Sequence, residues 1–184
     1  DVYKRQGRCG VGHLGVSRGG ALAPDILAAT NILLGNLPNT TAIEFSSGTL
    51  SLHFEEATEI AICGHGIDID VSSNALERLR LLGNWSYRLP AQSELRIRAI
   101  WHRSIAYIAI ANGISAQTAF GSTSTQNYVG FGGHCGRTLQ NGDKLTAVIN
   151  KNAKTKVPLK CPINGDTPTP LRLSLIHISE PTRP

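Results

Sequence analysis

Glu94-Leu95-Arg96-Ile97-Arg98-Ala99-Ile100 decides the fold class. Leu95, Ile97 and Ala99 alternate with Glu94, Arg96 and Arg98, the period-two pattern of a strand with one dry and one wet face. Leu50, Leu52 and Phe54 alternate in the same way with Ser51 and His53. Glu59 to Cys63, Gly66 to Val71 and Ser104 to Ala111 read as further strands at short spacing. One helix interrupts the series. Pro24 suits a first helical turn, Asp25 complements the positive helix end, and Ile26, Leu27, Ala29, Thr30, Leu33 and Leu34 supply an apolar face. Gly35-Asn36 and then Pro38 mark its stop. Many short strands, one clear helix and Gly-rich turns predict a mainly β barrel or sandwich.

The 184 residues carry 41% apolar, 17% charged and 5% aromatic side chains, enough for one core and too few for two large ones. No apolar stretch approaches the roughly 20 residues of a membrane helix. The net charge of +5 is spread along the chain, so no nucleic-acid partner is expected. The sequence contains no Met. Its N-terminal Asp1-Val2-Tyr3-Lys4-Arg5-Gln6 can be encoded by DNA whose reverse complement translates as Leu-Ser-Leu-Ile-His-Ile, which is found at Leu173 to Ile178. Residues 1–6 and 173–184 are therefore expected to be translated sequencing adapter and are set aside from functional reasoning. The remaining 7–172 carries 15 basic and 11 acidic residues, hence 15 − 11 = +4. Within it, 7–149 reads as one lobe. Residues 150–172, with Pro158, Pro162, Pro168 and Pro170, read as an exposed crossing segment.

Cys9, Cys63, Cys135 and Cys161 stand far apart, without the paired spacing of a zinc site, and are expected to be free thiols; no metal is expected. Gly10-x-Gly12-x-x-Gly15 matches the dinucleotide fingerprint, but the helix begins some nine residues later and no acidic residue follows at about 20 positions. No P-loop is present. A second Gly-rich run, Gly130-Phe131-Gly132-Gly133-His134-Cys135-Gly136-Arg137, follows Gly121-Ser122-Thr123-Ser124-Thr125. Backbone N–H groups there, with neighbouring hydroxyls and Arg137, suit a carboxylate or carbonyl oxygen; two tight inter-strand turns are the alternative.

A family resemblance extends this reading. His13 to Leu22 followed by Ala29-Thr30-Asn31-Ile32-Leu33-Leu34-Gly35-Asn36 resembles the start of the KipA-like, or allophanate-hydrolase-subunit-2, family that holds the C subunit of 5-oxoprolinase. It is related to the carboxyltransferase domain of urea carboxylase. Ala42-Ile43-Glu44, Ile60-Ala61-Ile62-x-Gly64, Tyr107 to Ile114, Gly121-Ser122-x-Ser124-Thr125 and Gly130 to Leu145 continue the match in order. The family chain is roughly twice as long, so the resemblance covers its N-terminal half. Ala23 stands where the family usually has Asp, Asn112 replaces a Gly, Thr123 an Arg, and Gly66 falls where Asp is common. Loss of that charged pair points to a divergent paralogue.

The resemblance implies a cyclophilin-like β-barrel lobe and a cytoplasmic complex. With subunits A and B (the latter KipI-like), the family protein opens the lactam of 5-oxoproline to glutamate using ATP, which partner chains would handle. In the alternative reading a biotin-dependent carboxyltransferase moves CO₂ to a urea-type nitrogen. A third, non-enzymatic reading is antagonism of a KipI-type kinase inhibitor. For either chemistry, Gly132, Gly133, Ser122, Ser124 and Arg137 are the candidates for holding an oxyanion, and Ser17 and Arg18 for a substrate carboxylate. Arg137 has a structural alternative, a salt bridge to Asp143.

Overall fold

The structure, a computed structural model, describes residues 2–5, 7–74 and 76–148. The expected crossing segment and C-terminal adapter lie outside the described residues. In chain order the elements are β1 (Val2–Lys4), α1 (Pro24–Ile32), β2 (Ala42–Phe45), β3 (Thr49–Phe54), β4 (Thr58–His65), β5 (Ile67–Ser73), β6 (Leu76–Leu81), β7 (Trp85–Leu89), β8 (Ser93–Ala99) and β9 (Ile105–Ile110). The strands form two antiparallel sheets, of order β1-β2-β9-β4-β7 and β3-β8-β5-β6. The mainly β class with one helix stands. The barrel does not close: among the described residues no strand pairing joins one sheet to the other, so each keeps two edge strands.

Period two decides which sheet face is dry. In β8, Leu95 and Ile97 are buried and Glu94, Arg96 and Arg98 exposed. On the wet face Asp68 of β5 pairs with Arg98 at 2.8 Å and with Arg80 of β6. Exposed pairs of this kind stabilise little. The dry faces of both sheets meet in one core that includes Ile43, Phe45, Ile60, Ile62, Ile69, Leu95, Ile97 and Ile108.

The five-stranded sheet is covered on its other face as well. β2 and positions 106–110 of β9 are buried without alternation, because α1 lies across them. Small side chains make that approach possible: Ala42, Ala61 and Ala109 face Leu27 and Leu34 of the helical segment. Gly35 ends the helix in the left-handed region, its N–H donating to Ile32 O at 2.9 Å. At the other end Ala23, where the family usually has Asp, is the N-cap and supplies no side-chain cap. A buried pair does that work instead. The Tyr107 hydroxyl donates to Glu44 Oε2 at 2.6 Å and accepts from Ala23 N at 2.9 Å, and Glu44 Oε2 also accepts from Leu22 N at 2.8 Å.

Of the residues expected to be N-terminal adapter, those described, 2–5, are integrated in the fold. Tyr3 of β1 pairs with Ile43 of β2 and is 1% exposed. Burial and the Asp143 charge push its phenol up to about 12. The strand therefore occupies the edge position beside β2 whatever its coding origin.

Among the described residues no helix is long and apolar enough to cross a membrane.

Candidate functional site

Gly10, Gly12 and Gly15 belong to an exposed excursion with a single 3-10 turn at Gly12–Leu14, and no helix opens at Gly15. The geometry that would present free N–H groups to a pyrophosphate is missing there. The excursion closes at its neck, where Arg8 N donates to Arg18 O at 2.7 Å.

Beyond the neck, the two Gly-rich segments fold onto each other. Gln126 N donates to Phe131 O at 2.9 Å, and Gln117 and Gly133 exchange both main-chain bonds, at 3.0 and 3.1 Å. Gly133, at φ +58°, packs so tightly that a Cβ would lie 1.9 Å from Thr125 Oγ1. The run is glycine because main chain meets main chain and side chain at contact distance.

The charge at the centre of this cluster is Arg8, a residue that sequence reasoning passed over. It is 2% exposed. Its Nε donates to Ala119 O at 3.1 Å, its Nη2 donates to Ser124 O at 2.5 Å, and its Cζ lies 4.7 Å from the centroid of the Phe131 ring. Nη1 is buried without a hydrogen-bond partner. Burial lowers the guanidinium below the usual arginine value, and no carboxylate forms an ion pair with it among the described residues. Thr125 Oγ1 is the other buried polar side-chain atom of the described residues left without a partner.

The candidates named from sequence distribute around Arg8. Ser17 and Arg18 are exposed at the rim, and the Ser17 hydroxyl accepts from Gln126 Nε2. Ser122 and Ser124 are buried. Ser124 Oγ is engaged with the main chain of Arg5, accepting from its N–H at 2.9 Å and donating to its carbonyl at 3.0 Å. Gly132 sits against Arg8 and Ser124 O, whereas the Gly133 N–H is already donated to Gln117 O. Ser124 and Gly132 thus meet Arg8, and Ser17 joins the cluster through the Gln126 side chain.

Arg137 takes the structural alternative. Both its Nη atoms donate to Asp143, at 2.7 Å each, in the fork geometry that suits guanidinium and carboxylate. Asp143 also accepts from Gln140 N at 2.8 Å, and His134 Nε2 lies 3.4 Å away. Arg137, with the Gln140 N–H second, holds the Asp143 carboxyl far below the ordinary range. A folded-state value below the unfolded one gives stability that is present above about pH 4 and lost as the solution is acidified through the native value. The expected result is that Asp143→Asn lowers the urea midpoint at pH 7 but flattens its decline between about pH 4 and 2. Parallel declines would contradict the assignment.

Cys9 and Cys135 are exposed and Cys63 is buried, all as free thiols; Cys161 lies outside the described residues. Among the described residues no three His, Cys, Asp or Glu side chains converge as metal ligands would.

The sequence is similar to the 5-oxoprolinase C subunit of Escherichia coli (strain K12), 34% identical over 139 residues that cover 76% of this chain and 43% of that protein. It is 29% identical to the 5-oxoprolinase C subunit of Haemophilus influenzae over 166 residues, 90% of this chain and 50% of that one. The chain thus spans about half the length of the curated relatives it matches. Among solved structures, TTHA0988 superposes with a TM-score of 0.70 at 25% identity, over 79% of this chain and 52% of that one. Kluyveromyces lactis urea carboxylase superposes with a TM-score of 0.73 at 24% identity, over 85% and 14%, a likeness of fold. The family model described as carboxyltransferase domain, subdomain A and B, matches residues 14–175, nearly the whole chain, and the protein belongs to that family.

Proposed function

We propose that this chain is the N-terminal half of a C-type subunit of 5-oxoprolinase, part of a hydrolase complex that opens 5-oxoproline to L-glutamate. The observation that carries the reading is the 34% identity to a curated protein of that kind across 139 residues. The likeness to urea carboxylase is one of fold and adds no carboxyl-transfer chemistry, so biotin has no role in this reading.

A lactam amide is resonance-stabilised and a poor electrophile, and ATP, bound by subunits A and B, supplies its activation before water opens the ring. The part assigned to this chain is to bind and orient. Ser17 and Arg18 stand at the rim, where a carboxylate-bearing substrate would first be met. Ser122, Ser124, Gly132 and Gly133 are buried, with the Ser124 hydroxyl and the Gly133 N–H engaged by main chain, and the Arg137–Asp143 pair braces the end of the Gly130–Arg137 turn.

The test is complementation. The full-length gene, expressed in a strain from which the corresponding subunit is deleted, is expected to restore growth on 5-oxoproline as sole nitrogen source. This chain alone, without the remainder of the subunit and its partners, is expected to show no turnover. Absence of growth with the full-length protein expressed and assembled with subunits A and B would overturn the reading.

A further inference from the structure

A buried guanidinium without a counter-charge is costly, because removing an ion from water is offset only by pairing and complete hydrogen bonding. Arg8 has neither. It is 2% exposed, two carbonyls and one aromatic face hold it, Nη1 is unpartnered, and no acidic side chain pairs with it among the described residues. The surrounding glycines make the arrangement specific. A Cβ at Gly19 would lie 3.1 Å from Arg8 Nη1, 3.0 Å from Gln126 Oε1 and 4.0 Å from Gln126 Cδ. A residue without a side chain thus stands between an orphaned cationic donor and a half-buried amide. That amide is tethered to Ser17 at the surface.

We infer that Arg8 is a carboxylate-binding residue and that Nη1 is kept free for the carboxylate of a small monocarboxylic ligand, which enters beside Gly19 when the Gln126 side chain moves aside. This deepens the proposed function and rests on it for the identity of the ligand, since 5-oxoproline carries a carboxylate and urea does not. The chemistry is recognition alone: a charge-assisted N–H···O bond, with no proton or covalent change.

The test is calorimetric titration of the full-length protein with 5-oxoproline, with its uncharged counterpart 2-pyrrolidinone and with acetate. 5-Oxoproline is expected to bind, 2-pyrrolidinone to bind about 10- to 100-fold more weakly, and Arg8→Met to lose the same factor for 5-oxoproline only, the usual worth of a hydrogen bond to a charged group. Arg8→Met relieves a buried charge but takes the donors away from Ala119 O and Ser124 O, so its thermal midpoint is measured beside the titration. Should it fail to fold, Gln126→Glu decides the matter. A carboxylate beside Nη1 is expected to raise the midpoint and to abolish 5-oxoproline binding by competing for the same atom. Equal binding of 5-oxoproline by the wild type and by either folded variant, or equal binding of 5-oxoproline and 2-pyrrolidinone, would overturn the inference while leaving the 5-oxoprolinase reading intact. Arg8-dependent binding of acetate without binding of 5-oxoproline would do the reverse.

Discussion

Gly136→Ala in the full-length protein is expected to cost on the order of 4 kcal/mol and to abolish the order of the Gly130–Arg137 turn. Two causes add. The residue holds φ +68°, where an L side chain costs about 1–2 kcal/mol. Its Cβ would also lie 2.0 Å from Gly130 C, 2.1 Å from Gly130 O and 2.3 Å from Phe131 N. All three neighbours are main chain, so no flexible side chain can yield, and the turn itself must open. Gly142 isolates the first cause, since it holds φ +90° with nothing within 4 Å of its Cβ. Gly142→Ala is therefore expected to cost about 1–2 kcal/mol, the conformational term alone. Urea denaturation of both variants makes the comparison. A Gly136→Ala loss no larger than that of Gly142→Ala would show that the close approach does not restrain the turn.

The strands that sequence reveals are those with one wet face. β8 and β3 are legible because Arg96, Arg98, Ser51 and His53 must reach water while their neighbours do not. β2 carries no alternation because the core lies on one side of it and α1 on the other. Its four residues are too few to stand out from any other apolar run. β6 fails for the opposite reason. It is a sheet edge, Glu77 to Arg80 are exposed, and the burial falls on Leu81 at its end. β7 was within reach, since Trp85-Ser86-Tyr87-Arg88-Leu89 alternates cleanly.

The site divides in the same way. Glycines mark where backbones touch, so both Gly-rich segments were visible as unusual. Which cation serves them was not. An arginine six residues before an aspartate, as in Arg137 and Asp143, can be suspected of pairing. Arg8 carries no such mark, because its burial depends on residues more than 100 positions away at Ala119, Ser124 and Phe131. By default a lone arginine is placed at the surface.

Tyr107→Phe is expected to destabilise the protein by about 2–4 kcal/mol, far more than the loss of one average hydrogen bond. Tyr107 is fully buried on β9, and burial together with its bond to Glu44 pushes its phenol far above the ordinary tyrosine value, so it remains a neutral donor. Its hydroxyl is used twice, as donor to Glu44 Oε2 and as acceptor from Ala23 N. Deleting it leaves a 5% exposed carboxylate with the Leu22 N–H as its remaining partner here, and leaves the Ala23 N–H with none of the described side chains to meet it. Both deficits fall at the start of α1, where Ala23 gives no side-chain cap. The same stretch leads back within a few residues to Gly19 and the neck at Arg18, so loosening it is expected to loosen the cover of Arg8. Glu44→Gln serves as the control, because an amide oxygen still accepts from both Tyr107 and Leu22, and it should cost about half as much or less. Hydrogen exchange distinguishes the cause from simple core loosening. The Leu22 and Ala23 amides should exchange faster in Tyr107→Phe, while those of Ile60 and Ile62 in β4 follow the global stability alone. A stability loss below about 1 kcal/mol, with Leu22 and Ala23 protected as before, would mean that the helix start is held by the packing of Leu27 and Leu34 and not by this hydroxyl.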